Sequence, residues 1–125
     1  MSPEKRAVLL LYALNEGSQD YDKHWRDFAI STLQQIGLAV DEVNIASPAN
    51  NLRDLCLEGS YKAIVVDKDS TDIFERPFVE QLHALGTKVI YRGYNLTEEY
   101  QIAIRIGAEK FITINLDPTE IHKVV

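Results

Sequence analysis

Three histidines and one cysteine are among the residues of this 125-residue chain that could bind a metal ion or act as a nucleophile. His24, His83 and His122 fall on three separate predicted elements, and no two of them stand four residues apart on one helix. A helical metal site needs such a pair, so the spacing favours surface histidines. Cys56 lies on the apolar face of a short predicted helix. We interpret it as core packing, because a reactive thiol needs an exposed, electropositive setting.

A phosphate-binding loop is the next feature that could carry chemistry. Residues 15–18 follow the first apolar run and contain one glycine and one acid. Phosphate is bound by glycine-rich turns whose backbone N–H groups point at the anion, and a nearby acid repels it. The loop therefore disfavours a nucleotide or flavin cofactor, and with it a flavodoxin-like cofactor binder. We expect no resident cofactor.

Composition and charge exclude several classes of partner. The formal net charge is −6 and the sequence pI is about 5.0, and the longest basic cluster is the pair Lys5 and Arg6. Nucleic acid and anionic membranes attract basic patches, so we expect this domain to bind neither. The apolar run at residues 7–14 is too short to span a bilayer and fits a buried strand. A lone cysteine cannot form an internal disulfide, which favours the cytoplasm.

Short apolar runs alternate with helical patterns along the chain. The predicted strands are residues 7–14, 38–45, 61–67, 88–94 and 110–116. This alternation with short connections favours parallel strands, so we predict an α/β fold with a doubly wound five-stranded sheet of order 2-1-3-4-5 in a three-layer α/β/α sandwich. The second strand is the most polar, and we place it at an edge of the sheet.

Helix signals separate these strands. The predicted helices are residues 22–36, a short helix capped by Asn50 or Asn51, a helix after residues 70–72 with Asp72 and Glu75 at capping-box spacing, Thr97 to Gly107, and a last helix from Asp117. Pro77 means that the third helix either starts late or kinks. About eight residues remain for the last helix, some two turns. Either the chain is the N-terminal module of a longer one, or one face of the sheet is incompletely covered.

Three segments resemble the receiver domains of bacterial response regulators. Residues 107–113 and 117–121 are similar to the family's segment that runs from a Gly-Ala pair, through an aromatic residue, to the last helix. Residues 61–67 are similar to the family's third strand with its terminal acid, and residues 37–40 match the usual second strand. The resemblance implies a single receiver-like domain over 1–125 and a place in two-component signalling or a phosphorelay.

The resemblance also assigns positions, and most of them have lost their chemistry. Asp67 falls at the phosphoacceptor position and Phe111 at that of the switch aromatic residue. Where the family has a magnesium-binding acidic pair, a switch hydroxyl and a phosphate-binding lysine, this chain has Tyr12 with two apolar neighbours, Gly93 and Ile114. Magnesium and lysine neutralise the phosphoryl oxygens during transfer, so the phosphorylation switch is expected to be dead or crippled.

These substitutions leave three functions open. The first is a pseudo-receiver, a non-catalytic and phosphorylation-independent module that binds a protein partner or forms a homodimer. The second is a working phosphoacceptor, in which the long first loop supplies magnesium ligands from Glu16, Asp20 and Asp22. The spacing favours instead solvated loop acids, with Asp20 or Asp22 capping the first helix. The third is a receiver-like regulatory wing domain of a larger enzyme.

The fourth helix indicates where a pseudo-receiver would bind its partner. Its apolar residues spread over about 200° of the helix at about 100° per residue, twice the stripe that one sheet face buries. Ala103 and Ile106 align with small buried positions of the receiver family, so the resemblance implies that they face the sheet and that Ile102 or Ile104 lies near the rim. We predict an interface formed by Tyr100, Ile102 and Ile104, with Phe111 nearby.

Overall fold

A computed structural model describes residues 8–12, 20–35, 37, 39–44, 52–58, 61–66, 74–93 and 97–113 of the chain. The elements within them are, in chain order, β1 (Val8–Tyr12), α1 (Asp20–Gln35), β2 (Val40–Asn44), α2 (Leu52–Glu58), β3 (Ala63–Val66), α3 (Arg76–Ala84), β4 (Lys88–Gly93), α4 (Thr97–Ile106) and β5 (Lys110–Thr113). Three predicted helix signals lie outside the described residues: the cap at Asn50 or Asn51, the lead-in at residues 70–72, and the last helix. In the described part of the chain, no helix is both long enough and apolar enough to cross a membrane.

The strands form one sheet with the predicted topology. Its order is β2-β1-β3-β4-β5, and every neighbouring pair of strands is parallel. β2 is an edge strand, which confirms the prediction from its polar residues. β3 ends at Val66, the residue before Asp67 in the sequence, and β4 ends at Gly93. The two strands are adjacent, and Val66 pairs with Tyr91. The carboxyl ends of β3, β4 and β5 therefore meet at one edge of the sheet.

Two apolar clusters cover the two faces of the sheet. α1 packs on one face through Ala29 and Leu33, and α2, α3 and α4 pack on the other. The α1 side contains Val8, Leu10, Ala63, Val65, Ile90 and Ile112, and the opposite side contains Leu9, Leu11, Ile64, Val66, Val89 and Tyr91. The three-layer sandwich is thus confirmed.

β1 shows why the central strands lack polar and apolar alternation. Val8 and Leu10 point to the α1 side, Leu9 and Leu11 point to the other side, and all four are fully buried. A strand covered on both faces needs apolar residues at every position. Truncating one such leucine to alanine typically costs about 2–5 kcal/mol, since a cavity remains in a close-packed interior.

Two helix starts differ from their predictions. α3 begins at Arg76, with Pro77 in its first turn, so the late start is correct and the kink is wrong. Glu75 is the N-cap residue and its side chain makes no capping hydrogen bond within the described residues, so the capping box of Asp72 and Glu75 is wrong. Proline fixes a helical φ and needs no N–H partner at that position, which explains why it sets the start. α1 begins at Asp20, which places Asp22 inside the helix and not at its cap.

Candidate functional site

The C-terminal edge of the sheet is where the predicted chemistry would lie. Gly93 ends β4 opposite Thr113 of β5, and Val66 is the last described residue of β3. Asp67, the predicted phosphoacceptor, and Ile114, at the position of the family's lysine, lie outside the described residues. Of the predicted switch positions, the structure therefore describes Gly93 and Phe111.

Gly93 is buried, and the space beside its Cα is already filled. A Cβ built on this residue would lie 2.7 Å from Oε1 of Glu99, 2.9 Å from Cδ of the same side chain, and 2.7 Å from Cε1 of Tyr91. The φ of Gly93 is not positive, so its backbone lies outside the left-handed region. As long as Glu99 and Tyr91 keep these positions, residue 93 has no room for the side chain of a serine or threonine.

Glu99 is the residue of this site that the sequence did not reveal. It lies in the first turn of α4, beside Glu98, where acids favour the positive end of the helix dipole and normally remain solvated. Its side chain is instead buried, with 6% of the residue exposed. The hydroxyl of Tyr91 donates to its Oε1 over 3.4 Å, a long contact. The only signal in the sequence is a glycine six residues earlier, which does not by itself indicate a filled space.

Three aromatic rings continue from Tyr91 to the surface. The rings of Tyr91 and Phe111 are stacked, with centroids 5.5 Å apart and planes inclined by 18°. Phe111 in turn stacks on Tyr100, with centroids 4.0 Å apart and planes inclined by 24°. Phe111 is partly buried and packs against the core, while Tyr100 is 40% exposed. The column of rings joins β4, β5 and α4.

The apolar residues of α4 divide between core and surface. Ala103 and Ile106 are buried against the sheet, as the resemblance to receiver domains implies. Ile104 is 74% exposed, whereas Ile102 is partly buried and packs against the core. The exposed apolar surface of α4 therefore consists of Tyr100 and Ile104, with Ile102 at its margin. We call Tyr100, Ile104 and the partly buried Phe111 the α4–β5 face.

The end of α4 is fixed by its C-terminal turn. Gly107 has a φ of 84°, which L-residues rarely adopt, and its N–H donates to the carbonyl of Ile104 over 3.1 Å. The N–H of Ala108 donates to the carbonyl of Ala103 over 3.0 Å. These bonds use carbonyls at the end of the helix that would otherwise lack partners, and they lead the chain into β5.

Metal ligands do not gather in the described residues. No group of three His, Cys, Asp or Glu side chains there could hold a metal ion. β1 ends at Tyr12, where the resemblance would place the acidic pair. Glu16 lies outside the described residues, and the side chains of Asp20 and Asp22 are not described. The described residues therefore do not fit a magnesium site.

The other residues that could have carried chemistry are the histidines and the cysteine. His24 is exposed on α1, His122 lies outside the described residues, and His83 of α3 pairs with Glu109. Cys56 is 1% exposed in the core beneath α2, and burial raises the pKa of its thiol from 9.0 to about 12. A thiol with such a pKa is not a thiolate at neutral pH, so its interpretation as core packing is confirmed.

Solved structures share this arrangement of sheet and helices. A CheY-like protein (tadZ) from Pseudomonas aeruginosa superposes with a TM-score of 0.59 and 18% identity, covering 94% of this chain and 95% of that one. The chain has the fold of a receiver domain. A LuxR-family DNA-binding response regulator from Staphylococcus aureus is similar to this receiver-like chain with a TM-score of 0.66 and 10% identity, over 94% of each chain.

A third structure extends the same similarity. A response regulator receiver protein from Burkholderia phymatum has a TM-score of 0.59 and 13% identity, covering 91% of this chain and 87% of that one. No protein-family model matches the chain, and no curated protein matches it by sequence. At these identities the likeness concerns the receiver fold alone.

Proposed function

We propose that this receiver-like domain is a non-catalytic signalling module that acts without phosphorylation, by contact with a protein partner or with a second copy of itself. The observation that carries the proposal is the α4–β5 face, on which Tyr100 and Ile104 are exposed beside the packed ring of Phe111. Exposed apolar residues that adjoin one another, unlike single scattered ones, mark contact surfaces. The ring of Tyr100 is held in place, so binding would cost little further side-chain entropy.

Independence from phosphorylation is supported at Gly93. A newly formed aspartyl phosphate needs donors and cations around its oxygens. Gly93 offers no hydroxyl, and a carboxylate lies against it, which would repel an added phosphate. Ile114 takes the position of the family's lysine and offers no positive charge.

Phosphorylation of Asp67 with magnesium held by loop acids is the alternative. Beryllofluoride, which mimics the aspartyl phosphate, separates the two functions when added with magnesium while amide NMR spectra are recorded. We expect spectra that match those of Asp67→Asn under the same additions. Large shifts that spread from Asp67 toward Phe111, absent from the variant, would overturn the proposal.

The contact itself is tested by sedimentation at increasing protein concentration, with and without proteins captured from the source cell. The expected result is either self-association or a specific complex, and in both cases it is lost in Ile104→Glu. Association that persists in Ile104→Glu would place the working surface elsewhere and contradict the proposal.

A further inference from the structure

The side chain of Glu99 and the missing side chain of Gly93 occupy the same space. A Cβ at residue 93 and the Glu99 carboxylate would be 2.7 Å apart, closer than such atoms approach in real structures. The same Cβ would also lie 2.7 Å from Cε1 of Tyr91, so moving the carboxylate away would relieve one close contact and leave the other. Each residue therefore constrains what the other position can hold.

A buried carboxylate in a first helical turn is unusual. Glu98 and Glu99 both lie at the positive end of the α4 dipole, yet Glu98 is exposed and Glu99 is buried. Removing a carboxylate from water is costly, and the dipole would stabilise Glu99 as well if it remained solvated. Its side chain packs into the space that glycine leaves at the end of β4.

This packing fixes the position of α4. Glu99 faces Tyr91 and Gly93 of β4, and the next residue, Tyr100, stacks on Phe111 of β5. Two consecutive residues thus hold the first turn of the helix on two different strands. Since Ile104 follows Tyr100 by one helical turn, the same contacts set how Ile104 is presented.

We propose that Gly93 and Glu99 form a latch, in which the carboxylate packs against the glycine and holds α4 in one position on the sheet. The latch keeps the α4–β5 face assembled, so the surface is available constantly and needs no signal to form it. Its use in signalling rests on the proposed function, whereas its physical existence does not.

The latch predicts that the two positions are energetically coupled. Gly93→Ala should push the carboxylate out, Glu99→Ala should leave its space empty, and the double variant should be less disturbed than the two single effects combined. We expect amide hydrogen exchange across residues 100–106 to be about tenfold faster in each single variant. In the double variant we expect exchange at least about threefold slower than the product of the single effects.

Glu98→Ala is the matched control, because it removes the same charge from the same helical turn at an exposed site. Equal acceleration of exchange in Glu98→Ala and Glu99→Ala would mean that Glu99 acts only through the helix dipole, and the latch would be wrong. Single effects that simply multiply in the double variant would contradict it too. Should Gly93→Ala fail to fold, Glu99→Ala is expected to restore part of the folded structure, because it relieves one of the two close contacts at residue 93 and leaves that with Tyr91. A partial gain of structure in Gly93→Ala/Glu99→Ala, measured by circular dichroism, supports the latch, and a double variant no more structured than Gly93→Ala contradicts it.

Exchange measured on dilute, unassociated protein tests the latch alone. The proposed function is tested separately, by the association of the wild-type chain and its loss in Ile104→Glu. Coupled exchange without any association would leave the latch standing and overturn the proposed function. Association without coupled exchange would overturn the latch and leave the proposed function standing.

Discussion

The ring of Tyr100 lies on the ring of Phe111, with 4.0 Å between their centroids, although the tyrosine is 40% exposed. Stacked aromatic pairs contribute about 0.5–1.5 kcal/mol beyond the area they bury. One face of the Tyr100 ring therefore packs on the domain, and its other side is presented to solvent in a fixed orientation. A partner would meet a rigid ring and not a mobile one.

Ile104 and Ile102 offer a matched pair of substitutions on this helix. Ile104→Glu places the charge at a 74% exposed position, so we expect the free energy of unfolding to change by less than about 0.5 kcal/mol while association is lost. Ile102→Glu places it against the core and is expected to cost about 2 kcal/mol or more. Urea unfolding and sedimentation measure the two effects. An Ile104→Glu variant that unfolds the domain would show that the residue belongs to the core.

Glu109 is expected to matter more for stability than its ion-pair partner. Its Oε2 accepts the backbone N–H of Val89 over 2.6 Å, and its Oε1 contacts Nε2 of His83. Glu109→Ala leaves the Val89 N–H without this acceptor, and we expect a loss of about 1–2 kcal/mol. His83→Ala removes only a half-exposed ion pair and is expected to cost under about 1 kcal/mol. If urea unfolding shows equal losses of the free energy of unfolding in Glu109→Ala and His83→Ala, the contact with the Val89 N–H contributes nothing.

The buried thiol of Cys56 should make stability fall in alkaline solution. Because its pKa is raised from 9.0 to about 12, the folded state retains a proton that the unfolded state has lost between those pH values. The free energy of unfolding should then fall by about 1.4 kcal/mol per pH unit above pH 9 from this group. Cys56→Ala removes that contribution, so the wild type should lose stability more steeply than the variant. Parallel pH profiles of the two proteins would contradict the prediction.

Tyr61 joins the core to the edge strand. Its ring is buried with 1% exposed, and its hydroxyl donates to Oδ2 of Asp41 on β2 over 2.6 Å. Tyr61→Phe keeps the packing and removes the bond, and we expect a loss of about 1–2 kcal/mol, since hydrogen bonds to charged groups are stronger than neutral ones. Asp41→Asn keeps an acceptor and should lose less. A loss in urea unfolding that is larger for Asp41→Asn would show that charge on β2 matters more than this bond.

The order of elements could be predicted because a strand that is buried on both faces has a continuous run of apolar residues in the sequence. Val8 to Leu11 and Ala63 to Val66 are continuous apolar runs, and parallel sheets covered on both sides require them. Helix starts were harder to predict. The side-chain spacing of Asp72 and Glu75 competed with the φ restriction of Pro77, and proline determined the start.

The candidate site was only partly predictable, because its main contact is between residues of unrelated type. The resemblance to receiver domains correctly implies that Ala103 is buried, but it leaves open whether Ile102 or Ile104 lies at the rim, and the structure shows that Ile104 is the exposed one. Nothing local indicates that Glu99 is buried, since acids in first turns are ordinarily solvated. A vacancy created by the missing side chain of Gly93 becomes apparent only when β4 and α4 are placed together.

β1 pairs with strands that lie far from it in the sequence, which leaves it unpaired during synthesis of the chain. Val8 pairs with Val40 on one side and with Ala63 on the other, so β1 is synthesised long before the strands that flank it. Until both arrive, four consecutive apolar residues remain uncovered on the nascent chain. Non-local parallel pairings form slowly, and exposed apolar strands attract chaperones or one another. The four residues from Val8 to Leu11, fully buried in the finished domain, are thus prone to aggregation during its synthesis.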